Sequence, residues 1–207
     1  MDLKKYIRSI QDYPKKGILF RDITTLIKDR DAFKDCIDKM SKIIGKIDYD
    51  KIAAIESRGF IFASPLSYNL SKPYILLRKK NKLPADKYSV DFKLEYGQAT
   101  LEIHKDSIKK GEKIVIIDDL IATGGTSEAG AKLVEKSGGI VSGFMFVINL
   151  FDLGGKKFLE EKGYKAVSLI DFPGHYSSLP SQVFGVSSFF ISKFIWYSKG
   201  FAPLFLM

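Results

Sequence analysis

The densest set of chemically capable residues lies between Lys113 and Thr126. Four apolar residues, Ile114–Ile117, predict a strand that ends in two adjacent carboxylates, Asp118 and Asp119. A short loop then leads through Ala122 to Thr123, Gly124, Gly125 and Thr126, where a helical pattern begins. Glycines let backbone N–H groups approach an anion closely, and a helix N-terminus adds its positive dipole. Threonine hydroxyls can donate to phosphate oxygens. Two carboxylates beside such a cradle would repel a polyanion; they suit sugar hydroxyls or a hydrated metal ion. Placed at the carboxyl end of a strand, where open α/β sheets bind ligands, the segment has the chemistry of a sugar-phosphate grip. It contains neither Gly-Lys-Ser/Thr nor the three-glycine dinucleotide fingerprint, so two common phosphate loops are excluded.

Other residues gain meaning only beside that loop. Ser57, Arg58 and Gly59 follow the apolar run Ile52–Ile55 and could be an ordinary turn or a second anion site. Arg78, Lys79 and Lys82, read alone, are a solvated face. Arg21 and Asp22 could be a surface ion pair, worth ~0–1 kcal/mol. Glu95 could be an exposed strand residue and Tyr96 core packing, while His104 and His175 show no metal-ligand spacing. Cys36 stands at helical spacing from Phe33, Ile37 and Met40, which predicts a buried, inert thiol. A lone cysteine and the lack of an apolar leader segment point to a reducing, cytoplasmic setting.

These groups need a scaffold, and the periodicity supplies one. Leu3, Tyr6, Ile7 and Ile10 predict a short opening helix, and Asp12–Thr25 an ordered loop with some extended structure. A second helix is expected after Asp31 as cap, with Phe33, Ile37, Met40 and Ile44 inward. The apolar runs Ile52–Ile55, Tyr74–Leu77, Lys113–Ile117, Ile140–Asn149 and Ala166–Ile170 suit strands buried on both faces. Helical stretches between them, such as Ser127–Lys136, give an α/β fold with a parallel sheet flanked by helices. Tyr88–Ile103 breaks the alternation: two strand-like segments flank Gly97 and predict a hairpin projecting from the sheet.

Composition agrees with one globular domain: 207 residues, 45% hydrophobic and 28% charged, enough for a sizeable core. The net charge of +9 is compatible with nucleic acid, anionic membranes or small anions, but the lysines are dispersed, so charge alone selects none of these.

The segment VIIDDLIATGGT resembles the phosphoribosyl-pyrophosphate loop of the type I phosphoribosyltransferases. The resemblance implies that Asp118 and Asp119 contact ribose hydroxyls, that Ala122, Thr123, Gly124, Gly125 and Thr126 wrap the phosphate, and that Mg²⁺ held mainly by substrate completes the site. Three more segments are similar to the adenine-specific branch. DYPKKGILFRDIT would carry the base site, with Leu19 and Arg21 acting through backbone atoms and Phe20 beside them. ESRGF would be the pyrophosphate loop, with Ser57 and Arg58 meeting the leaving group and Gly59 allowing close approach. LLRKKNKLP and LEYG resemble a mobile flap at about residues 79–103, with Asn81–Val90 as a lid.

The reaction implied is formation of AMP and pyrophosphate from adenine and phosphoribosyl pyrophosphate. Arg58, Arg78, Lys79 and Lys82 would balance charge on the pyrophosphate, and Glu95 would assist proton movement or the cationic sugar. The relatives are commonly homodimers. The alternatives are a transferase for xanthine, hypoxanthine, guanine or orotate, and a phosphoribosyl-pyrophosphate-sensing regulator that binds nucleic acid. No recognition helix supports the regulator, and no nucleic acid is expected as partner. Residues 1–175 form the expected domain. The remainder, 176–207, carries six phenylalanines and one tryptophan without an acid. Its apolar stretch Val183–Tyr197 is shorter than the ~20 residues that span a bilayer. Packing on the domain or an oligomer contact is the expectation for it.

Overall fold

The computed structural model describes residues 1–93 and 97–174. The strands are β1 (Arg8–Gln11), β2 (Leu19–Asp22), β3 (Lys51–Ile55), β4 (Tyr74–Lys79), β5 (Lys87–Lys93), β6 (Gln98–His104), β7 (Lys113–Ile121), β8 (Ile140–Leu150) and β9 (Ala166–Phe172). The helices are α1 (Thr24–Ile27), α2 (Arg30–Ile44), α3 (Arg58–Leu70), α4 (Gly125–Lys136) and α5 (Gly155–Glu161). Seven strands form one sheet in the order β5-β6-β4-β3-β7-β8-β9. From β4 to β9 neighbouring strands run parallel, whereas β5 and β6 are antiparallel. β1 and β2 make a separate antiparallel pair.

β7 shows why continuous apolar runs become central strands. Val115 and Ile117 face a core shared with Cys36, Met40, Phe62 and Leu66 of α2 and α3. Ile114 and Ile116 face the opposite core, with Leu133 and Val134 of α4 and Leu159 of α5. Both faces are covered, so period-two alternation disappears from the sequence. Cys36 is buried as expected, and desolvation pushes its thiol up to about 12.

Several expectations change. Leu3–Tyr6 is only a 3₁₀ turn, and Ile10 lies in β1 opposite Phe20, so strand pairing takes over from the helical spacing. The cap of α2 is Asp29, which accepts from the Ala32 N–H at 2.9 Å; Asp31 sits inside the first turn. β7 does not end at the carboxylates but runs on to Ile121, because β8 extends far enough to pair with it up to Asn149. The hairpin about Gly97 continues the sheet, since β6 pairs with β4 at Arg78 and Lys79. The stretch Asn81–Val90, expected as a lid, has these contacts. Asn81 N–H donates to buried Glu102 at 3.0 Å, Lys87 Nζ donates to the Leu83 carbonyl at 3.0 Å, and Leu83 is buried.

Candidate active site

β3 and β7 are adjacent and parallel, so the segments following each converge on one edge of the sheet. Between them opens a cleft of about 420 Å³, within the ~300–1,000 Å³ usual for small-molecule sites. Asp118, Asp119 and the whole of Ala122–Thr126 line one side; Glu56, Ser57 and Arg58 line the other, with Lys79 beside them. Phe92, Ala99 and Leu101 of the β5–β6 hairpin add an apolar wall.

The loop between β7 and α4 is shaped by close approaches. Gly124 has φ +89°, and a Cβ on it would lie 2.9 Å from the Phe158 ring. Gly155 N–H donates to the Ala122 carbonyl at 2.9 Å, and a Cβ on Gly155 would stand 2.3 Å from that oxygen. α5 thus props the loop from outside and turns that carbonyl away. The first N–H taken up inside α4 is that of Glu128, which donates to Gly124 at 2.9 Å. The N–H groups of Gly125, Thr126 and Ser127 precede it, without intrahelical acceptors, at the cleft.

The two acids are less comfortable. Asp119 is 3% exposed, and Arg58 Nε lies 3.1 Å from its Oδ2, an ion pair without hydrogen-bond alignment. Asp118 accepts from the Asp119 N–H at 2.9 Å. Burial, and the neighbouring Asp119 charge, push the Asp118 carboxyl well above the ordinary carboxylate range; burial also raises Asp119, against the pull of Arg58. Opposite them, Glu56 accepts from Arg78 Nε at 2.9 Å and from the Lys79 N–H at 2.7 Å. Burial raises the Glu56 carboxyl, but those hydrogen bonds outweigh it and hold the group below its ordinary value.

Not every expected site residue reaches the cleft. Ser57, Arg58, Lys79, Asp118, Asp119, Ala122, Thr123, Gly124, Gly125 and Thr126 are brought together. Arg78 is turned onto Glu56, with its guanidinium 5.8 Å from the Phe60 ring. Lys82 borders a second groove with Lys80 and Asp91, which shares Lys79 and Ala99 with the cleft. Leu19, Phe20 and Arg21 lie in β2; Phe20 adjoins the cleft through Arg58, whose guanidinium is 5.7 Å from its ring. Glu95, Tyr96, His175 and the stretch 176–207 lie outside the described residues.

Gly59 has a packing task beside the one expected. A Cβ there would meet the Ile117 carbonyl at 2.8 Å and Asp118 Oδ1 at 3.2 Å, so its smallness serves the packing of α3 on β7. Gly155 and Glu56 are the contributors that sequence reasoning missed. The available signal for Gly155 was the glycine pair Gly154-Gly155, just after the longest apolar run.

A phosphoribosyl transferase domain model matches residues 23–176. An adenine phosphoribosyltransferase of Pelagibacter ubique is 66% identical over 175 residues, which cover 84% of this chain and all of that protein. The crystal structure of adenine phosphoribosyltransferase from Thermoanaerobacter pseudethanolicus superposes with a TM-score of 0.79 at 48% identity, covering 83% of this chain and 98% of that one. The Saccharomyces cerevisiae enzyme, complexed with an imino-altritol bisphosphate and adenine, gives 0.75 at 31% identity, covering 82% and 97%. The chain belongs to the phosphoribosyltransferase family and, within it, to the adenine phosphoribosyltransferases.

Proposed function

We propose that this chain transfers the ribose phosphate of phosphoribosyl pyrophosphate to a ring nitrogen of adenine, releasing AMP and pyrophosphate. The observation that carries the reading is the single cleft in which an acid pair and three open helix N–H groups face Ser57, Arg58 and Lys79. In it, the N–H groups of Gly125, Thr126 and Ser127 with the Thr123 and Thr126 hydroxyls would hold the terminal phosphate. Asp118 and Asp119 would accept from the ribose hydroxyls, and Asp119 Oδ2, which has no hydrogen-bond partner within the fold, would gain a donor. Arg58 and Lys79 would face the pyrophosphate, where negative charge gathers as the anomeric carbon becomes cationic. Phe92, Ala99 and Leu101 would keep water from that carbon.

The residues present suit a hydrated Mg²⁺. Among the described residues no cluster of three metal-ligating side chains exists, so Asp118 or Asp119 would act through water and substrate oxygens would complete the shell. Bound there, the ion would supply positive charge that offsets the departing pyrophosphate. Glu95 is proposed to assist proton movement at adenine or to stabilise the cationic sugar. A cytoplasmic homodimer completes the reading, with the exposed apolar Ile61 and Tyr68 of α3 as surface that a second copy would cover. Residues 1–175 would be the catalytic domain, with 176–207 outside it.

The test supplies Mg²⁺, phosphoribosyl pyrophosphate and each of adenine, hypoxanthine, guanine, xanthine and orotate, following pyrophosphate release. AMP from adenine alone is expected; turnover of another base would discard the base assignment. Near-normal turnover by Glu95→Gln would remove that residue's role.

A further inference from the structure

Arg21 is a charged side chain where a hairpin beside a ligand cleft has no evident need of one. It is 5% exposed, and its Nε is buried without a hydrogen-bond partner. Burial lowers its affinity for the proton, an effect only opposed by the nearby Asp152. Removing a guanidinium from water while leaving a donor unmade is costly, so stability alone is a poor reason to keep it.

Its other contacts say what it does. One terminal nitrogen donates to Ser9 Oγ across the β1–β2 pair. The other donates to the Pro173 carbonyl at 2.7 Å, and the guanidinium lies 4.3 Å from the Phe172 ring. Pro173 is the first residue beyond β9, so this contact joins the small β1–β2 pair to the end of the main sheet. That end is itself clamped: Gly174 N–H donates to Asp152 Oδ1 at 2.5 Å, and a Cβ on Gly174 would lie 2.7 Å from Leu153. Asp152 and Leu153 lead directly into Gly154 and Gly155, the pair that props the phosphate loop. The base hairpin and the phosphate loop therefore hang from one short frame. Phe20, next to Arg21, carries the ring that faces Arg58 in the cleft.

We propose that Arg21 is a positioning residue for adenine: its guanidinium pins β2 to the exit of β9 and so sets where Phe20 and its backbone stand against Arg58. The inference rests on the adenine reading of the cleft. Arg21 needs no contact with the base through its side chain.

The experiment uses the full chain as Arg21→Met, Arg21→Lys, Phe172→Leu and Phe20→Ala, measuring kcat, both KM values and Tm. Arg21→Met is expected to raise the KM for adenine ~10-fold while the KM for phosphoribosyl pyrophosphate stays within ~2-fold. Arg21→Lys keeps a charge that reaches Pro173 and should recover part of the loss. Unchanged adenine KM in Arg21→Met overturns the proposal even if Tm falls, as does a parallel rise in both KM values. If Arg21→Met does not fold, Phe172→Leu decides: it weakens the same pin, and an adenine KM equal to that of the unaltered chain overturns the proposal. Phe20→Ala separates the two readings. If it leaves the adenine KM unchanged, the base site itself is misplaced; if it raises that KM while the Arg21 and Phe172 variants are silent, only the pin is wrong.

Discussion

The glycine–threonine loop after β7 and the β1–β2 hairpin use charge in opposite ways. At the loop, half-buried Asp118 and buried Asp119 stand side by side, both raised in their affinity for protons, and Asp119 Oδ2 lacks a hydrogen-bond partner. On the hairpin, Asp22 accepts from Arg8 Nε at 3.0 Å and from the Thr24 N–H at 2.9 Å. Charges the fold satisfies are scaffold; charges it leaves wanting are available to a ligand. Sites keep such costs because the ligand relieves them, so stability and activity should respond with opposite sign at the loop and with the same sign on the scaffold.

Asp118→Asn breaks that comparison most sharply. Removing one of two adjacent like charges should raise Tm, by about 2–4 °C for each kcal/mol relieved. Losing the acceptor for a ribose hydroxyl should lower kcat/KM for phosphoribosyl pyrophosphate on the order of 100-fold. Thermal unfolding and steady-state kinetics read both, and a drop in Tm would show that the acid is structural after all. Gly155→Ala comes next. Its methyl would fall 2.3 Å from the Ala122 carbonyl, a backbone atom that can yield only by moving the loop. A shift of that kind should cost roughly 10²-fold in kcat/KM, with adenine KM little altered. Normal kinetics would mean that α5 does not hold the loop in place.

How readable each region is from residues alone follows from the same distinction. The five parallel strands β3, β4, β7, β8 and β9 are legible because runs such as Ile114–Ile117 are apolar on both faces, and the glycine–threonine loop because its residue types themselves line the cleft. What is hidden depends on partners far along the chain. The extension of β7 through Asp118 and Asp119 is set by β8. Gly59 answers to the Ile117 carbonyl, and Arg21 to Pro173, 152 residues away. No local pattern holds those distances. The basic block divides for the same reason: Lys79 reaches the cleft, while Arg78 is claimed by Glu56, a residue with no spacing signal of its own.

Glu56 is where the comparison could be sharpened most finely, because it lines the cleft yet behaves as scaffold. Its side chain is 12% exposed and holds both Arg78 Nε and the Lys79 N–H. Glu56→Gln should therefore cost about 1.5–3 kcal/mol at neutral pH, the range for hydrogen bonds to a charged partner. The sign with pH follows from the depressed carboxyl. Its contribution is present above the ordinary value of 4.5 and fades as pH falls through the lower folded value. Urea unfolding of both proteins should give a gap that is full at neutral pH and closes in acid. Catalysis should fall only to the extent that Lys79 is displaced, by about 3-fold or less if backbone pairing with β6 keeps it in place. A much larger loss, confined to the KM for phosphoribosyl pyrophosphate, would move Arg78 out of the scaffold. It would mean that Glu56 holds that guanidinium for the pyrophosphate, and that a charge can be satisfied in the fold and still be offered to a ligand.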